Sequence, residues 1–118
     1  MAYTEITVQS PTIAGVIPTN AAATLSDGNR FINTGREFVM ITNNGTVNPV
    51  VVTIPTPQTI NNLTIQDPTV SVAKDGIIKI IGPFPPSIYN NPVGGTDENE
   101  VYVEYDQATD VLISVFRV

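Results

Sequence analysis

Apolar residues in this chain fall at every second position in several short runs, and Asn, Gly, Pro and Asp clusters separate the runs. That period belongs to strands with a buried face, and the spacing of the breaks suits a sandwich or barrel. Thr4-Glu5-Ile6-Thr7-Val8 alternates polar and apolar and predicts a first strand that stops at Pro11. Residues 37–42 are apolar on both alternations, as in a strand covered on both sides, and Asn43-Asn44-Gly45 follows with residues that tolerate positive φ. Residues 49–54 predict the return strand, so the two runs read as a hairpin, closed by Pro55 and Pro57. After a loop, residues 63–66, 70–73 and 77–81 predict further strands, with Asp75-Gly76 turning the last two into a second hairpin. Residues 100–105 and 111–118 predict the closing pair, joined by 106–110 as a third hairpin loop. Val101, Val103 and Tyr105 share one face there, and Val111, Ile113 and Val115 another.

Two segments break the pattern. Gly82-Pro83-Phe84-Pro85-Pro86-Ser87-Ile88-Tyr89-Asn90 has three residues without a backbone N–H and predicts a corner, with Phe84, Ile88 and Tyr89 plugging the end of the core. From Pro11 to Asn29 the only charge is Asp27, and the apolar pattern is weak. That stretch reads either as a strand and loop or as an extended arm that gains order on a neighbouring subunit. The expected fold is therefore all-β: one antiparallel β-sandwich, jelly-roll-like, over 29–118, with 1–28 as an N-terminal arm or first strand plus linker. Ten prolines and eight glycines leave few windows long enough for a helix.

Composition adds a neutral surface. Charged residues are 14% of the 118, against roughly 25% in typical soluble domains, so part of the exterior must be uncharged and suited to burial against partners. The net charge is −6, and Arg30, Arg36, Lys74, Lys79 and Arg117 are scattered. No run of them can neutralise adjacent phosphates or an anionic bilayer, so neither nucleic acid nor membrane is an expected partner. Residues 1–9 lack a basic region followed by an apolar run, and no segment approaches the roughly 20 apolar residues of a membrane span; a chain made and kept soluble is expected.

Histidine and cysteine are absent, which removes the commonest general base, the thiolate nucleophile and disulfides. None of the five serines lies in a Gly-x-Ser-x-Gly context, no glycine-rich phosphate loop occurs, and Lys74 and Lys79 read as solvent-facing hairpin positions. No catalytic role and no cofactor are expected. Asp97, Glu98, Glu100, Glu104, Asp106 and Asp110 are the best candidates to hold Ca²⁺, but they lack the spacing of a calcium loop and read as solvated carboxylates. The sequons Asn44-Gly45-Thr46 and Asn62-Leu63-Thr64 read as incidental, Asn-Gly being turn chemistry.

At Phe31-Ile32-Asn33-Thr34-Gly35-Arg36-Glu37-Phe38-Val39-Met40-Ile41-Thr42-Asn43 the chain resembles small proteins encoded beside the major capsid gene of tailed bacteriophages and prophages. Residues 81–90, 101–105 and 111–115 look like the closing block of that group. The resemblance, over 29–118, implies a β-sandwich decoration (cement) protein that binds the outside of the phage head and stabilises contacts between major capsid protein subunits. It also implies a homo-oligomer, a trimer, located on the virion after synthesis in the host cytoplasm, with no catalytic residues to carry over. The residues expected at a capsid or subunit interface are Tyr3, Ile6, Val8, Ile13, Val16, Ile17, Leu25, Phe84 and Tyr89. The alternatives are a neck or tail connector of the same virion, and a host-adhesion or carbohydrate-binding module. Against the last stand the absence of Trp and the lack of an obvious platform among Tyr3, Tyr89, Tyr102 and Tyr105.

Overall fold

Strand occupies 41% of the chain and helix 3% in the computed structural model, which describes residues 3–118. The strands are β1 Thr4–Glu5, β2 Val8–Gln9, β3 Ala21–Ala22, β4 Asn29–Ile32, β5 Glu37–Asn43, β6 Val50–Thr53, β7 Thr59–Ile60, β8 Leu63–Thr64, β9 Thr69–Val72, β10 Ile77–Ile81, β11 Glu100–Tyr105 and β12 Val111–Arg117. One helical turn, α1 (Pro86–Tyr89), precedes β11. The first sheet runs β1-β4-β11-β6-β9 and the second β10-β5-β12-β2, with β3 also paired to β12. Alternate side chains of both sheets point at each other. Phe31, Val50, Val52, Val72, Val101 and Val103 from the first join Val39, Ile41, Val111, Ile113 and Val115 from the second in one buried cluster.

The strands fall close to the expected runs, but their pairing does not. None of the three expected hairpins forms. β5 lies in the second sheet and β6 in the first, β9 in the first and β10 in the second, β11 in the first and β12 in the second. Each connection is an arch between layers. Asp75 and Gly76 do turn the chain (φ 70° and 84°), yet their N–H groups donate to Gly45 and Asn43 of the neighbouring β5 turn, so the turn is stitched to another loop. Among the described residues the one true hairpin is β7–β8, in a stretch where only the second strand was expected. Asn61 and Asn62 both take positive φ there, as a two-residue type I′ turn requires. Nor are the sheets purely antiparallel, because β1 pairs with β4, and β2 with β12, in parallel. β5 is buried on one face only; Phe38, Met40 and Thr42 stay half-exposed on the other.

The N-terminal segment is not a detached arm. β1 adds to the first sheet and β2 to the second, and Ile6 enters the core where the chain crosses between them. β3 returns to β12. Only residues 10–20 stand off the body, their ends tied where the Gln9 side chain donates to the Thr19 carbonyl (2.8 Å) and accepts from the Thr19 N–H (2.9 Å). At the far end the expected corner is present. Phe84 is buried with ring centroids 5.7 Å from Phe31 and 5.5 Å from Tyr89, capping the core.

Candidate functional site: an acidic cleft and an apolar edge

The corner that carries the family resemblance is structural. The Asn33 amide donates to the Phe84 carbonyl (2.9 Å) and to Asn90 Oδ1 (2.6 Å), while its Oδ1 accepts from Gly35 N–H. Glu37 is wholly buried and accepts from the Thr34 N–H and hydroxyl, the Arg36 N–H and the Arg117 guanidinium. Burial alone would raise its pKa. The hydrogen bonds from Thr34, Arg117 and Arg36 outweigh burial and hold it below the ordinary carboxylate value. Every polar atom of this corner that the hydrogen bonds reach is engaged within the chain, which suits a fixed joint between β4 and β5.

On the outer side of β4 and β11 lies an acidic ledge. The Tyr3 ring stacks on Tyr102 (centroids 3.6 Å apart, planes at 6°), and Gly28 makes room for it, since a Cβ there would sit 2.7 Å from the Tyr3 ring and from the Val103 carbonyl. The Tyr3 hydroxyl donates to Glu104 and the Tyr102 hydroxyl to Asp97 (2.7 Å). Burial and these carboxylates raise both phenols, Tyr102 to about 12. Arg30 places one nitrogen 2.8 Å from both oxygens of Glu100 and has Asp97 and Glu5 within 4 Å. Burial opposes its charge, but the Glu100 hydrogen bond and the three carboxylates raise its pKa. Beside the ledge opens a cleft of about 420 Å³ lined by Tyr3, Leu25, Ser26, Asp27, Gly28, Glu104 and Tyr105, in which one carboxylate oxygen of Asp27 has no hydrogen-bond partner.

Of the acidic residues weighed as Ca²⁺ candidates and read as solvated carboxylates, five accept hydrogen bonds within the chain. Asp97 and Glu104 take tyrosine hydroxyls, Glu100 takes Arg30, Glu98 accepts from Gly94 N–H and Asp106 from Val51 N–H. Among the described residues no group of three carboxylates is arranged to hold a metal ion.

The opposite side of the molecule is apolar. β10 is an edge strand, paired only with β5, and Ile78 and Ile80 are 52% and 66% exposed. Their register with Thr42 and Met40 puts them on the outer face of the second sheet, next to Phe38, which stacks on Phe116 at 5.7 Å. A groove of about 450 Å³ runs past Arg36, Phe38, Ile80, Pro83 and Val118. Among the described residues Arg36, Lys74 and Lys79 along this side have no carboxylate within 4 Å.

Of the residues expected at an interface, Ile13, Val16, Ile17 and Leu25 are exposed, the first three on the standing-off loop. Tyr3 and Val8 are half-buried against the body, and Tyr89 packs on Phe84. Ile6 and Phe84 belong to the buried core, so neither is placed to face a partner, because their side chains are taken up by packing within the chain. Sequence reasoning missed Ile78, Ile80, Ile60 and Leu63 as exposed aliphatics. A signal existed for the first two. Ile77-Ile78-Lys79-Ile80-Ile81 centres a charge within an apolar run, which an internal strand would not tolerate and an edge strand uses to discourage pairing.

Comparison with protein-family models, curated proteins and solved structures finds no match for this chain.

Proposed function

We propose that this chain is a structural assembly component, a capsid decoration protein that binds the outside of a phage head and stabilises contacts between major capsid protein subunits. The observation that carries the reading is a packed core that holds large aliphatics out on uncharged loops: Ile13 and Ile17 on residues 10–20, Ile60 and Leu63 on the β7–β8 hairpin. Large exposed apolar side chains gathered on uncharged loops are surfaces awaiting a partner. Thr56 ties the base of the hairpin by bonding Asp67 and the Ile65 carbonyl, so its tip is presented at a set angle. The phage head as the partner rests on the resemblance at 31–43. The alternation of β4, β5 and β6, and again of β9 to β12, between layers supports reading the all-β fold as a jelly-roll-like sandwich.

An adhesion or sugar-binding role is less well supported, because Tyr3 and Tyr102 cover each other's faces and leave no open ring platform. The deciding experiment is co-sedimentation of the purified chain with heads assembled without it. Binding at hundreds of copies per particle is expected, and replacement of 11–18 by a Gly/Ser linker of equal length should abolish it with the melting curve unchanged. No binding, or about a dozen copies as a connector ring would give, overturns the reading.

A further inference from the structure

The two sheets do not end together on the β9–β10 side. Ile77, Lys79 and Ile81 pair in register with Asn43, Ile41 and Val39, all buried, so their side chains belong to the inner row of the second sheet. Ile81 packs on the core, but Ile77 is 45% exposed and Lys79 is exposed as well. β9, the last strand of the first sheet, lies across from β5 and β10 and leaves the inner side of Ile77 and Lys79 uncovered. On this side the first sheet stops one strand short of covering the second.

The edge beside which that strand would lie is open. The Ile54 N–H donates to the Pro68 carbonyl (3.1 Å), which makes residues 54 and 68 a bonded pair and, by alternation, Val52 with Val70 and Val50 with Val72. Thr69 and Ser71 therefore turn their N–H and C=O groups away from β6, where they meet no partner among the described residues. β9 holds no charge and no proline to guard it. Lys79 opens onto the same space with no carboxylate of the described residues within 4 Å. Asp67 is occupied in accepting from Thr56, and Asp75 sits in the turn ahead of β10.

We infer that an extended segment of a partner protein adds to β9 as a sixth strand of the first sheet, placing an apolar residue over Ile77 and an Asp or Glu, two positions away in the same row, against Lys79. Main-chain bonds to Thr69 and Ser71 supply the attachment, and the inward row supplies the selection. Lys79 chooses the partner, because an all-apolar strand would bury its ammonium unpaired whereas a carboxylate satisfies it. A second copy does not fit, since its β9 would offer Val70 and Val72 in the inward row and no acid. The inference goes beyond the assembly reading and stands on the edge geometry alone, so peptide binding and head binding succeed or fail separately.

The test uses the full chain and two fluorescein-labelled peptides, Thr-Val-Thr-Glu-Thr-Val-Thr and the same peptide with Lys for Glu, read by anisotropy. The Glu peptide should bind about tenfold more tightly than the Lys peptide, with a margin that shrinks as salt is raised. Lys79→Glu should reverse the order. Ser71→Pro removes an N–H that faces away from β6, so it should block the peptide while leaving the melting curve close to wild type. Should that variant not fold, a fully N-methylated Glu peptide, which has no N–H to donate, gives the second reading and should not bind. Hydrogen exchange of the Thr69 and Ser71 amides should slow when the Glu peptide is added. No binding of the Glu peptide up to about 1 mM, equal binding of the two peptides, or protection of Ile78 and Ile80 in place of Thr69 and Ser71 would each overturn the inference. So would protection of Thr69 and Ser71 in the concentrated chain alone, the result that a second copy on this edge would give.

Discussion

The two edges of this double-layered sheet are finished in opposite ways. On the β1–β2 side the chain adds a short parallel strand to each sheet, drives Ile6 between them and locks the seam with Asn29. That amide donates to the Thr4 carbonyl and the Thr24 hydroxyl, and its oxygen accepts from Thr24 N–H and the Tyr105 hydroxyl. On the β9–β10 side nothing is added, and the strand is blunted by Lys79 alone. A closed edge is there for stability; an open edge with isoleucines on it has a cost in solubility that stability does not repay, so it points to contact with something else.

The contrast predicts where mutations will hurt. Ile6→Ala should be the most damaging, about 3 kcal/mol in urea unfolding, as the cavity opens between two sheets that cannot both collapse onto it. Asn29→Ala should cost about 2 kcal/mol by leaving the Tyr105 hydroxyl and Thr24 N–H buried without their partner. Losses under 0.5 kcal/mol for both would mean that the N-terminal segment is only laid on the surface.

Alkaline pH should loosen the same edge. Tyr3 and Tyr102 are raised by burial and by their hydrogen-bonded carboxylates, and Tyr105 by burial. The folded state therefore favours the protonated phenols. Their contribution is complete below about pH 10, the unfolded value, and is lost as pH rises from there through the native values, about 12 for Tyr102. Hydrogen exchange of β1 and β2 should accelerate across that window ahead of β10. Glu37 runs the other way: its native value is depressed, so its contribution is present above about pH 4.3 and disappears as pH falls through the native value. Glu37→Gln removes the titrating carboxylate, so stability, though lower near neutral pH, should fall less steeply as pH drops below about 4.

Period-two alternation made the strands legible because each has one face in the core, and Val101, Val103, Val111, Ile113 and Val115 all lie where it puts them. Which sheet a strand joins was not legible. An arch and a hairpin use the same turn residues, and Asp75-Gly76 serves as the former. Buried polar residues were hidden for a related reason. Asn29, Asn33 and Asn43 stand near strand ends, where Asn reads as turn chemistry, yet each is buried and holds loops through its amide. The exposed loop at Ile13 and Ile17 was readable from its lack of charge, whereas the open β10 edge depends on tertiary neighbours that no local pattern encodes.

The smallest expected effect on stability is the sharpest probe of the comparison. Ile80→Ser removes an aliphatic side chain that is already two-thirds in water, so little burial is lost on folding and the unfolding free energy should move by no more than about 0.5 kcal/mol. Met40, opposite it in the register, keeps its other neighbours on β12. If the edge existed to be buried within the monomer, the same change would register as a core mutation and cost about 2 kcal/mol or more. Paired urea unfolding of Ile6→Ala and Ile80→Ser therefore separates the two roles: a large loss for the first beside an unchanged second is the signature of one edge spent on the fold and the other kept for contact.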